Sequence, residues 1–299
     1  MENDPISFHH AMRDSNSQKW IDAMNEEYKS MQDNRVWDLI TLPEGKKPIG
    51  CKWIFKTKRD SKGNVERYKA RLVAKGFTQK EGIDYIETFS LVSSKDSFRI
   101  IMALTAHFDL ELHQMDVKTA FLNGDIDETI YMVQPENFVF GDPKKMVCKL
   151  KKSIYGLKHA SRQWYHKFHQ VICSFGFESN IVEDCVYHKF SGSKYIFMVL
   201  YVDDILLAAN DKKILHETKK FLSKKFEIKD LGDAFFVLGI QIHRDRSRGI
   251  FGLSQEGYIE KVLKRYSMQG CKPGETPVTK GDKFSLAQCP KNDLEIQEI

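Results

Sequence analysis

Two short apolar runs, residues 195–200 and 205–209, lie on either side of the tetrapeptide Tyr201-Val202-Asp203-Asp204. Uninterrupted runs of this length, rich in aliphatic and aromatic side chains, predict two buried β-strands. Similar patterns predict further strands over 51–59, 65–77, 110–117, 234–243 and 249–254, with a turn at 61–64. The chain therefore carries a predicted hairpin with two adjacent carboxylates at its tip.

Five other segments show apolar residues at every third or fourth position, which predicts amphipathic helices. Their predicted ranges are 17–34, 94–108, 161–175, 212–225 and 256–266. Ser17 is a candidate N-cap for the first helix, and Gly176 is a candidate stop for the third. Helices packed on one face of a mostly antiparallel sheet make the predicted fold class α+β. The last thirty residues show little periodicity and are predicted to be a linker or an interrupted element.

Asp116, at the end of the predicted strand 110–117, adds a third carboxylate to Asp203 and Asp204. Like charges held close together between apolar strands cannot all ionise cheaply unless a cation neutralises them. Oxygen ligands of this kind favour Mg²⁺. Two such ions would assist a phosphoryl displacement, as in a nucleotidyl transferase. Two simpler alternatives stay open, because Asp is common in hairpin turns and Asp116 would also serve as a helix N-cap.

The net charge of +5 is distributed unevenly along the chain. Residues 45–80 contain twelve Lys or Arg against two acidic residues, and residues 144–169 contain eight basic residues and no acidic one. Two basic tracts that flank a carboxylate site indicate a polyanionic partner. The alternative is that these lysines only solubilise exposed strands.

Composition limits the class of protein and its compartment. A chain of 299 residues with 41% hydrophobic and 29% charged residues is expected to fold as one large domain or two ordinary ones. Six scattered cysteines without a CxxC pair argue against a zinc ribbon or a disulfide framework. The N-terminus does not have the pattern of a signal peptide, and no apolar run is long enough to cross a membrane. We therefore expect an intracellular protein, cytoplasmic or nuclear and not secreted, without a membrane partner.

Seven short motifs follow one another in a recognisable order. They are D-V-K-T-A-F-L-N-G at 116–124, S-I-Y-G-L-K at 153–158 and Y-V-D-D at 201–204, with Y-K-A-R-L-V-A-K-G-F at 68–77, K-D-L-G at 229–232, F-V-L-G-I at 236–240 and G-L-S-Q at 252–255. In this order and spacing they resemble the reverse transcriptases of copia-type LTR retrotransposons, over roughly residues 4–290. The ordered set is highly specific, whereas Y-V-D-D alone is not.

The resemblance implies a right-hand polymerase. We expect an N-terminal helical lead-in at 1–44, fingers at 45–110, a palm at 111–245 with an interleaved fingers segment at about 125–160, and a partial thumb or linker at 246–299. Family members continue into an RNase H domain, so the chain is expected to be truncated before that domain.

The resemblance also implies roles for individual residues. Asp116, Asp203 and Asp204 would hold two Mg²⁺ ions, or Mn²⁺ as a substitute, with the carbonyl of Val117 as an added ligand. Arg71 and Lys75 would reach the incoming triphosphate, and Lys69 is a rival to Lys75. Phe121, beside Ala120, would be the steric gate that selects dNTPs, although a core phenylalanine is the alternative. One lysine of Lys220, Lys224 and Lys225 would supply the proton for pyrophosphate release.

Two further segments match parts that contact the template and the primer. Tyr155, Gly156 and Lys158 would pack on the template–primer and the nascent base pair, and Leu238, Gly239 and Ile240 would form the primer-grip turn. Glycine suits such a turn because the backbone can then approach the strand closely.

The expected function is RNA-directed DNA polymerase, with an RNA or DNA template, a primer and dNTPs as partners. Other Gag or Pol products of the element are further candidate partners, and the oligomeric state stays open. Bulky Phe121 argues against an RNA-dependent RNA polymerase. The alternative function is a catalytically inactive, nucleic-acid-binding remnant of a truncated element.

Overall fold

A computed structural model describes residues 4–60, 64–79, 93–126 and 128–271. The helices are α1 (Phe8–Arg13), α2 (Ser17–Asp33), α3 (Lys95–His107), α4 (Ala160–Cys173), α5 (Lys212–Lys225) and α6 (Glu256–Arg265). The strands are β1 (Trp37–Thr41), β2 (Cys51–Arg59), β3 (Val65–Ala74), β4 (Glu111–Val117), β5 (Tyr131–Met132), β6 (Met146–Leu150), β7 (Glu178–Ser179), β8 (Val186–Ser191), β9 (Lys194–Tyr201), β10 (Asp204–Ala209), β11 (Ile228–Asp233), β12 (Phe236–Val237), β13 (Ile240–Asp245) and β14 (Ile250–Ser254).

The largest sheet has six antiparallel strands in the order β11-β4-β10-β9-β8-β7. One face is covered by α4 and α5, whose Phe168 and Leu222 share a buried cluster with Ile205 and Leu207 of β10. This arrangement confirms the α+β class. Of the described residues, none forms a helix both long and apolar enough to span a bilayer.

The prediction that helices cover only one face of this sheet was wrong. On the opposite face, Phe98 and Ile101 of α3 pack with Leu206 of β10, and Val237 and Ile242 of the small sheet β12–β14 join the same cluster. Burial of both faces explains why the runs around Tyr201 are apolar without alternation.

A second core joins the N-terminal part of the chain to the hairpin β2–β3. Trp20 and Met24 of α2 are buried in one cluster with Ala70 and Leu72 of β3. In the three-stranded sheet β1-β6-β5, Met132 of β5 and buried residues of β6 belong to that cluster. Segments that are close together in the sequence and segments that are far apart therefore form this second core together.

Most predicted elements are confirmed, with differences at their ends. Asn16, not Ser17, is the N-cap of α2, and it forms no side-chain capping bond. The strand predicted over 65–77 ends at Ala74, because a 3-10 helix, Gly76–Thr78, follows it. The strand predicted over 234–243 is divided into β12 and β13 by a turn. Part of the predicted turn at 61–64 and nearly all of the last thirty residues lie outside the described residues.

Candidate active site

The hairpin β9–β10 brings three aspartates to one end of the six-stranded sheet. Asp204 is the first residue of β10 and lies opposite Tyr201 of β9 and Asp116 of β4 in the strand register. Asp203 occupies the turn, and its carbonyl accepts the Val117 N–H at 2.8 Å. Asp203 therefore also fits the alternative of a hairpin-turn residue, whereas Asp204 lies in a strand. Asp116 lies inside β4 with no helix starting at it, which argues against the N-cap alternative.

Burial and mutual repulsion make it costly for these carboxyl groups to be charged. Burial, and then the charge of Asp203, raise the pKa of Asp116. Burial likewise raises the pKa of Asp204, while a hydrogen bond of 3.0 Å from Gln114 Nε2 to its Oδ1 lowers it. A divalent cation with oxygen ligands would remove this repulsion, so the donor set fits Mg²⁺.

A tighter cluster of metal-ligand types lies elsewhere. Across the described ranges, the group whose ligand atoms all lie within 4.8 Å of one another is Glu111, His113 and Asp233, not the three aspartates. Lys219 Nζ lies 2.8 Å from His113 Nδ1, and Arg246 donates to Glu111 Oε1 at 2.9 Å. Because protein cations already neutralise this cluster, we assign no metal to it.

Lys229 is a site residue that the sequence reasoning missed. It lies opposite Asp116 in the register of β11 and β4, and its charge lowers the pKa of Asp116. Directly paired residues of neighbouring strands point to the same face of a sheet. The motif K-D-L-G contained this lysine, but only the register reveals its partner.

The three lysines proposed as proton donors, Lys220, Lys224 and Lys225, belong to α5. That helix packs on the face of the sheet that carries Met115 and Val117. Asp116 points to the opposite face, because side chains alternate along a strand. The structure therefore brings Lys229, rather than these lysines, to the face of the aspartates.

The turn that carries Asp203 has a strained backbone. Val202 has a φ of 58°, in the left-handed region that β-branched residues rarely adopt. The buried indole of Trp164 donates from Nε1 to the Val202 carbonyl at 2.6 Å. Strained conformations persist only where their surroundings hold them, and this hydrogen bond from α4 is one such support.

We expect Trp164→Phe to lower kcat for primer extension about tenfold, with the KM for dNTP changing less than about threefold. The ring remains buried, but the Val202 carbonyl loses its donor, which costs about 1–3 kcal/mol. Val202→Gly in the same variant is expected to restore most of kcat, because glycine adopts positive φ without strain. Steady-state kinetics of the single and double variants measure this.

Trp53→Phe is the matched control. Trp53 is also buried, and its Nε1 donates to a backbone carbonyl, that of Glu136, at 3.1 Å. We expect it to lower stability without lowering kcat. An equal loss of kcat in both variants would show that Trp164 acts only through general stability.

The aromatic ring of Tyr155 links the hairpin β2–β3 to the aspartates. The Arg71 guanidinium lies 3.8 Å from the centre of that ring, and Phe121 contacts it edge-on at 4.7 Å between centroids. Burial raises the pKa of Tyr155 to about 12, with Arg71 acting in the opposite direction and Asp203 in the same one. Phe121 is half-buried and packs against both large clusters, beside the buried Ala120. The structure therefore brings Arg71, Phe121 and Tyr155 together near the aspartates.

The end of β3 at Ala74 separates the two rival lysines. Ala70 and Leu72 of β3 point into the core, so Lys69 and Arg71 share the other face. Among the cations that lower the pKa of Asp116, Lys69 has the largest effect. Lys75 lies beyond the strand, its side chain runs beside Gly50, and its charge acts on the Cys51 thiol. The structure thus places Lys69, and not Lys75, among the groups that act on the aspartates.

The segment 153–158 packs against the end of the hairpin β2–β3 and the residues that follow it. The Ala74 N–H donates to the Tyr155 carbonyl at 2.8 Å, and the Lys158 N–H donates to Gln79 Oε1 at 3.1 Å. Gly156 has a φ of +92°, and a Cβ there would lie 2.1 Å from the Ala74 carbonyl oxygen. This glycine is therefore required by a backbone crossing, while Gly156 and Lys158 remain exposed.

Leu238 and Gly239 form the two-residue turn between β12 and β13, where Val237 pairs with Ile240. Their φ values of 52° and 80° are those of a type I′ turn. Leu238 and Ile240 pack against the cluster on the face of the sheet that also carries Asp116 and Asp204. The turn is thus on the same side as the aspartates, although it belongs to a separate sheet.

Several cations of the two basic tracts are paired within the fold. Lys152 and Lys167 both contact Asp125, and Lys151 lies 2.9 Å from Asp38. In the first tract, Arg67 pairs with Glu26 at 2.6 Å. The tracts therefore offer fewer free charges to a polyanion than their count of basic residues indicates.

Comparison with known proteins identifies the family of the chain. The family model described as reverse transcriptase (RNA-dependent DNA polymerase) matches residues 34–280. The chain is 47% identical over 290 residues to the retrovirus-related Pol polyprotein from transposon TNT 1-94 of Nicotiana tabacum. This alignment covers 97% of the chain and 22% of that polyprotein. It is 38% identical over 286 residues to the Pol polyprotein from transposon RE1 of Arabidopsis thaliana, covering 95% of the chain and 19% of the relative.

A more distant relative is the transposon Ty1-NL2 Gag-Pol polyprotein of Saccharomyces cerevisiae, 27% identical over 269 residues, with 83% of the chain and 14% of the relative covered. The chain spans about a fifth of the length of the two plant polyproteins. Matched over most of its residues, the chain belongs to the reverse transcriptase (RNA-dependent DNA polymerase) family, in the form found in copia-type retrotransposons.

Proposed function

We propose that this chain is the polymerase segment of a retrotransposon Pol polyprotein and copies an RNA or DNA template into DNA. The observation that carries the proposal is the meeting of Asp116, Asp203 and Asp204 at one end of the sheet, on the face with Lys229. Family membership gives the reaction class, and the arrangement supports it because cations, among them Lys69 and Lys229, lie near the carboxylate of Asp116.

The reaction joins the primer 3′-oxygen to the α-phosphorus of a dNTP and breaks the bond between the α- and β-phosphates. Asp116, Asp203 and Asp204, with the Val117 carbonyl, would hold two Mg²⁺ ions, or Mn²⁺ in their place. Bound there, the ions would activate the attacking oxygen and stabilise the leaving oxygen. Pyrophosphate leaves with its charge neutralised by nearby cations.

The fingers residues would position the nucleotide. Arg71, held over the ring of Tyr155, and Lys69 on the same face of β3 would neutralise the triphosphate. Lys75 would act at longer range, because its side chain runs beside Gly50. Ala120 and Phe121 would lie beneath the sugar, and the loop of Tyr155, Gly156 and Lys158 would contact the template–primer. Leu238, Gly239 and Ile240 would contact the primer strand.

Primer extension on an RNA template, with dNTPs and Mg²⁺ or Mn²⁺, tests the proposal. Extension of a DNA or RNA primer would support it, and a parallel DNA template would define the template range. If a folded protein binds primer–template but does not extend it, the proposal fails and the inactive remnant takes its place. We propose an intracellular site of action, consistent with a template held inside the cell.

We expect Phe121→Ala to reduce discrimination against rNTPs by about tenfold or more, since removing a ring that excludes one hydroxyl is worth roughly 1–3 kcal/mol. Single-nucleotide incorporation with dNTP and rNTP pairs measures the ratio. Phe121→Tyr, which keeps the ring, is expected to discriminate as the wild type does. Unchanged sugar preference in Phe121→Ala, together with a lower melting temperature, would assign Phe121 to the core alone.

A further inference from the structure

Helix α2 ends at Asp33, just before the residues matched by the family model begin. It is nevertheless an integral part of the fingers unit, because Trp20 and Met24 are buried against Ala70 and Leu72 of β3. Two consecutive glutamates of this helix reach β3. Glu26 pairs with Arg67 at the exposed end of the hairpin, and Glu27 lies further along the strand, near Leu72.

Glu27 covers an open edge of β3. Among the described strands, β3 pairs with β2 alone, so the other edge of β3 presents N–H groups that no described strand accepts. Glu27 Oε1 accepts the Leu72 N–H at 3.3 Å, and the Tyr155 carbonyl accepts the next N–H on that edge, from Ala74, at 2.8 Å. The Glu27 carboxylate is therefore anchored at the strand position that immediately follows Arg71.

The carboxylate lies near the cations of the site, because Glu27 and Tyr155 accept neighbouring N–H groups on one edge of β3 and the Arg71 guanidinium lies over the Tyr155 ring. Glu27 is half-buried, and burial raises its pKa while the charges of Arg71 and then Lys69 lower it. In return, Glu27 opposes the lowering of the pKa of Lys69 by burial and by Arg71. Arg71 has a second support, the ring of Tyr155 at 3.8 Å, so it does not depend on Glu27 for its position.

We propose that Glu27 is a resident counterion for Lys69 and Arg71 and competes with the triphosphate for them. This inference rests on the proposed function, because it takes Lys69 and Arg71 as the groups that bind the nucleotide. With the site empty, Glu27 neutralises part of their charge. Because Glu27 remains beside the cations, its charge weakens their attraction for an incoming polyphosphate. Pyrophosphate is released more readily for the same reason.

Glu27→Gln tests this role without removing the anchor, because an amide oxygen still accepts the Leu72 N–H. We expect the dissociation constant of inorganic pyrophosphate, measured by calorimetry in Mg²⁺ buffer, to fall about fivefold, which corresponds to about 1 kcal/mol. The KM for dNTP is expected to fall by a similar factor. Glu27→Asp keeps the charge and is expected to bind pyrophosphate nearly as the wild type does.

Glu26→Gln is the matched control, since it removes the same charge from the neighbouring residue of the same helix. We expect it to change pyrophosphate affinity less than about twofold, because its pair with Arg67 is exposed. Equal affinities in Glu26→Gln and Glu27→Gln, or weaker binding in Glu27→Gln, would overturn the proposal. A large drop in the melting temperature of Glu27→Gln would also overturn the proposal, because the Glu27 charge would then be required for the stability of the fold.

Pyrophosphate binding separates this inference from the proposed function. If the wild type does not extend a primer, the polymerase assignment fails whatever the glutamate variants do. If the wild type extends and the two glutamine variants bind pyrophosphate equally, the counterion role alone fails.

Discussion

Asp203→Asn and Asp204→Asn are each expected to reduce primer extension by about 1,000-fold or more, while primer–template affinity changes less than about threefold. Each substitution removes one charged ligand from the carboxylate cluster, and loss of about 4 kcal/mol of transition-state stabilisation corresponds to that factor. Affinity for nucleic acid comes mainly from contacts to phosphates, which these residues do not make. Extension rates and gel-shift titrations measure the two quantities.

Asp230→Asn is the matched control for these variants. Asp230 lies on β11 opposite Met115, so it points to the α5 face of the sheet, where it contacts Lys219 at 2.7 Å. It is expected to retain extension within about threefold of the wild type, since a partly exposed ion pair contributes about 1 kcal/mol at most. Substantial extension by either of the Asp203 and Asp204 variants would contradict the metal assignment.

Gly156→Ala is expected to lower the free energy of unfolding by about 3 kcal/mol or more, which corresponds to a fall of about 6–12 °C in melting temperature. The new Cβ would lie 2.1 Å from the Ala74 carbonyl oxygen and 2.6 Å from Val73 Cγ1, at a φ of +92°. The backbone of segment 153–158 would have to move away from β3. Thermal unfolding followed by circular dichroism measures the loss.

Gly192→Ala isolates the effect of backbone conformation from that of the close contact. Gly192 also has a positive φ, +61°, but a Cβ there would meet nothing within 4 Å. We expect it to cost only about 1 kcal/mol, the usual cost of a left-handed non-glycine residue. Similar losses in both variants would show that the crossing at Gly156 relaxes easily.

The elements around the aspartates could be predicted because their burial pattern is simple. β9 and β10 are covered on both faces and therefore appear as continuous apolar runs. By contrast, β1 and β6 were missed: β1 exposes three of its five residues, and β6 carries a lysine among its apolar positions. Strands of this kind are specified by pairing across more than a hundred residues, which periodicity does not record.

The three aspartates could be predicted because ordered motifs mark them, but the groups that surround them could not. Lys229 faces Asp116 only because β11 pairs with β4 in one register. Trp164 lies in the helix predicted over 161–175, but the helical pattern gave no sign that its indole would reach the Val202 carbonyl. The preference for Lys75 over Lys69 relied on a strand predicted to reach residue 77, whereas β3 ends at Ala74 and Lys75 lies beyond it.

Two N–H groups on the open edge of β3 acquire their hydrogen-bond partners at different times while the chain is synthesised. The hairpin β2–β3 is complete by Ala74, and Glu27 has already emerged by then to cover the Leu72 N–H. The Ala74 N–H must wait for Tyr155, about eighty residues later on the chain. Until then the nascent chain presents part of an unpaired strand edge, a known route to intermolecular pairing. The basic residues of this hairpin would keep two such nascent chains apart while the edge is open.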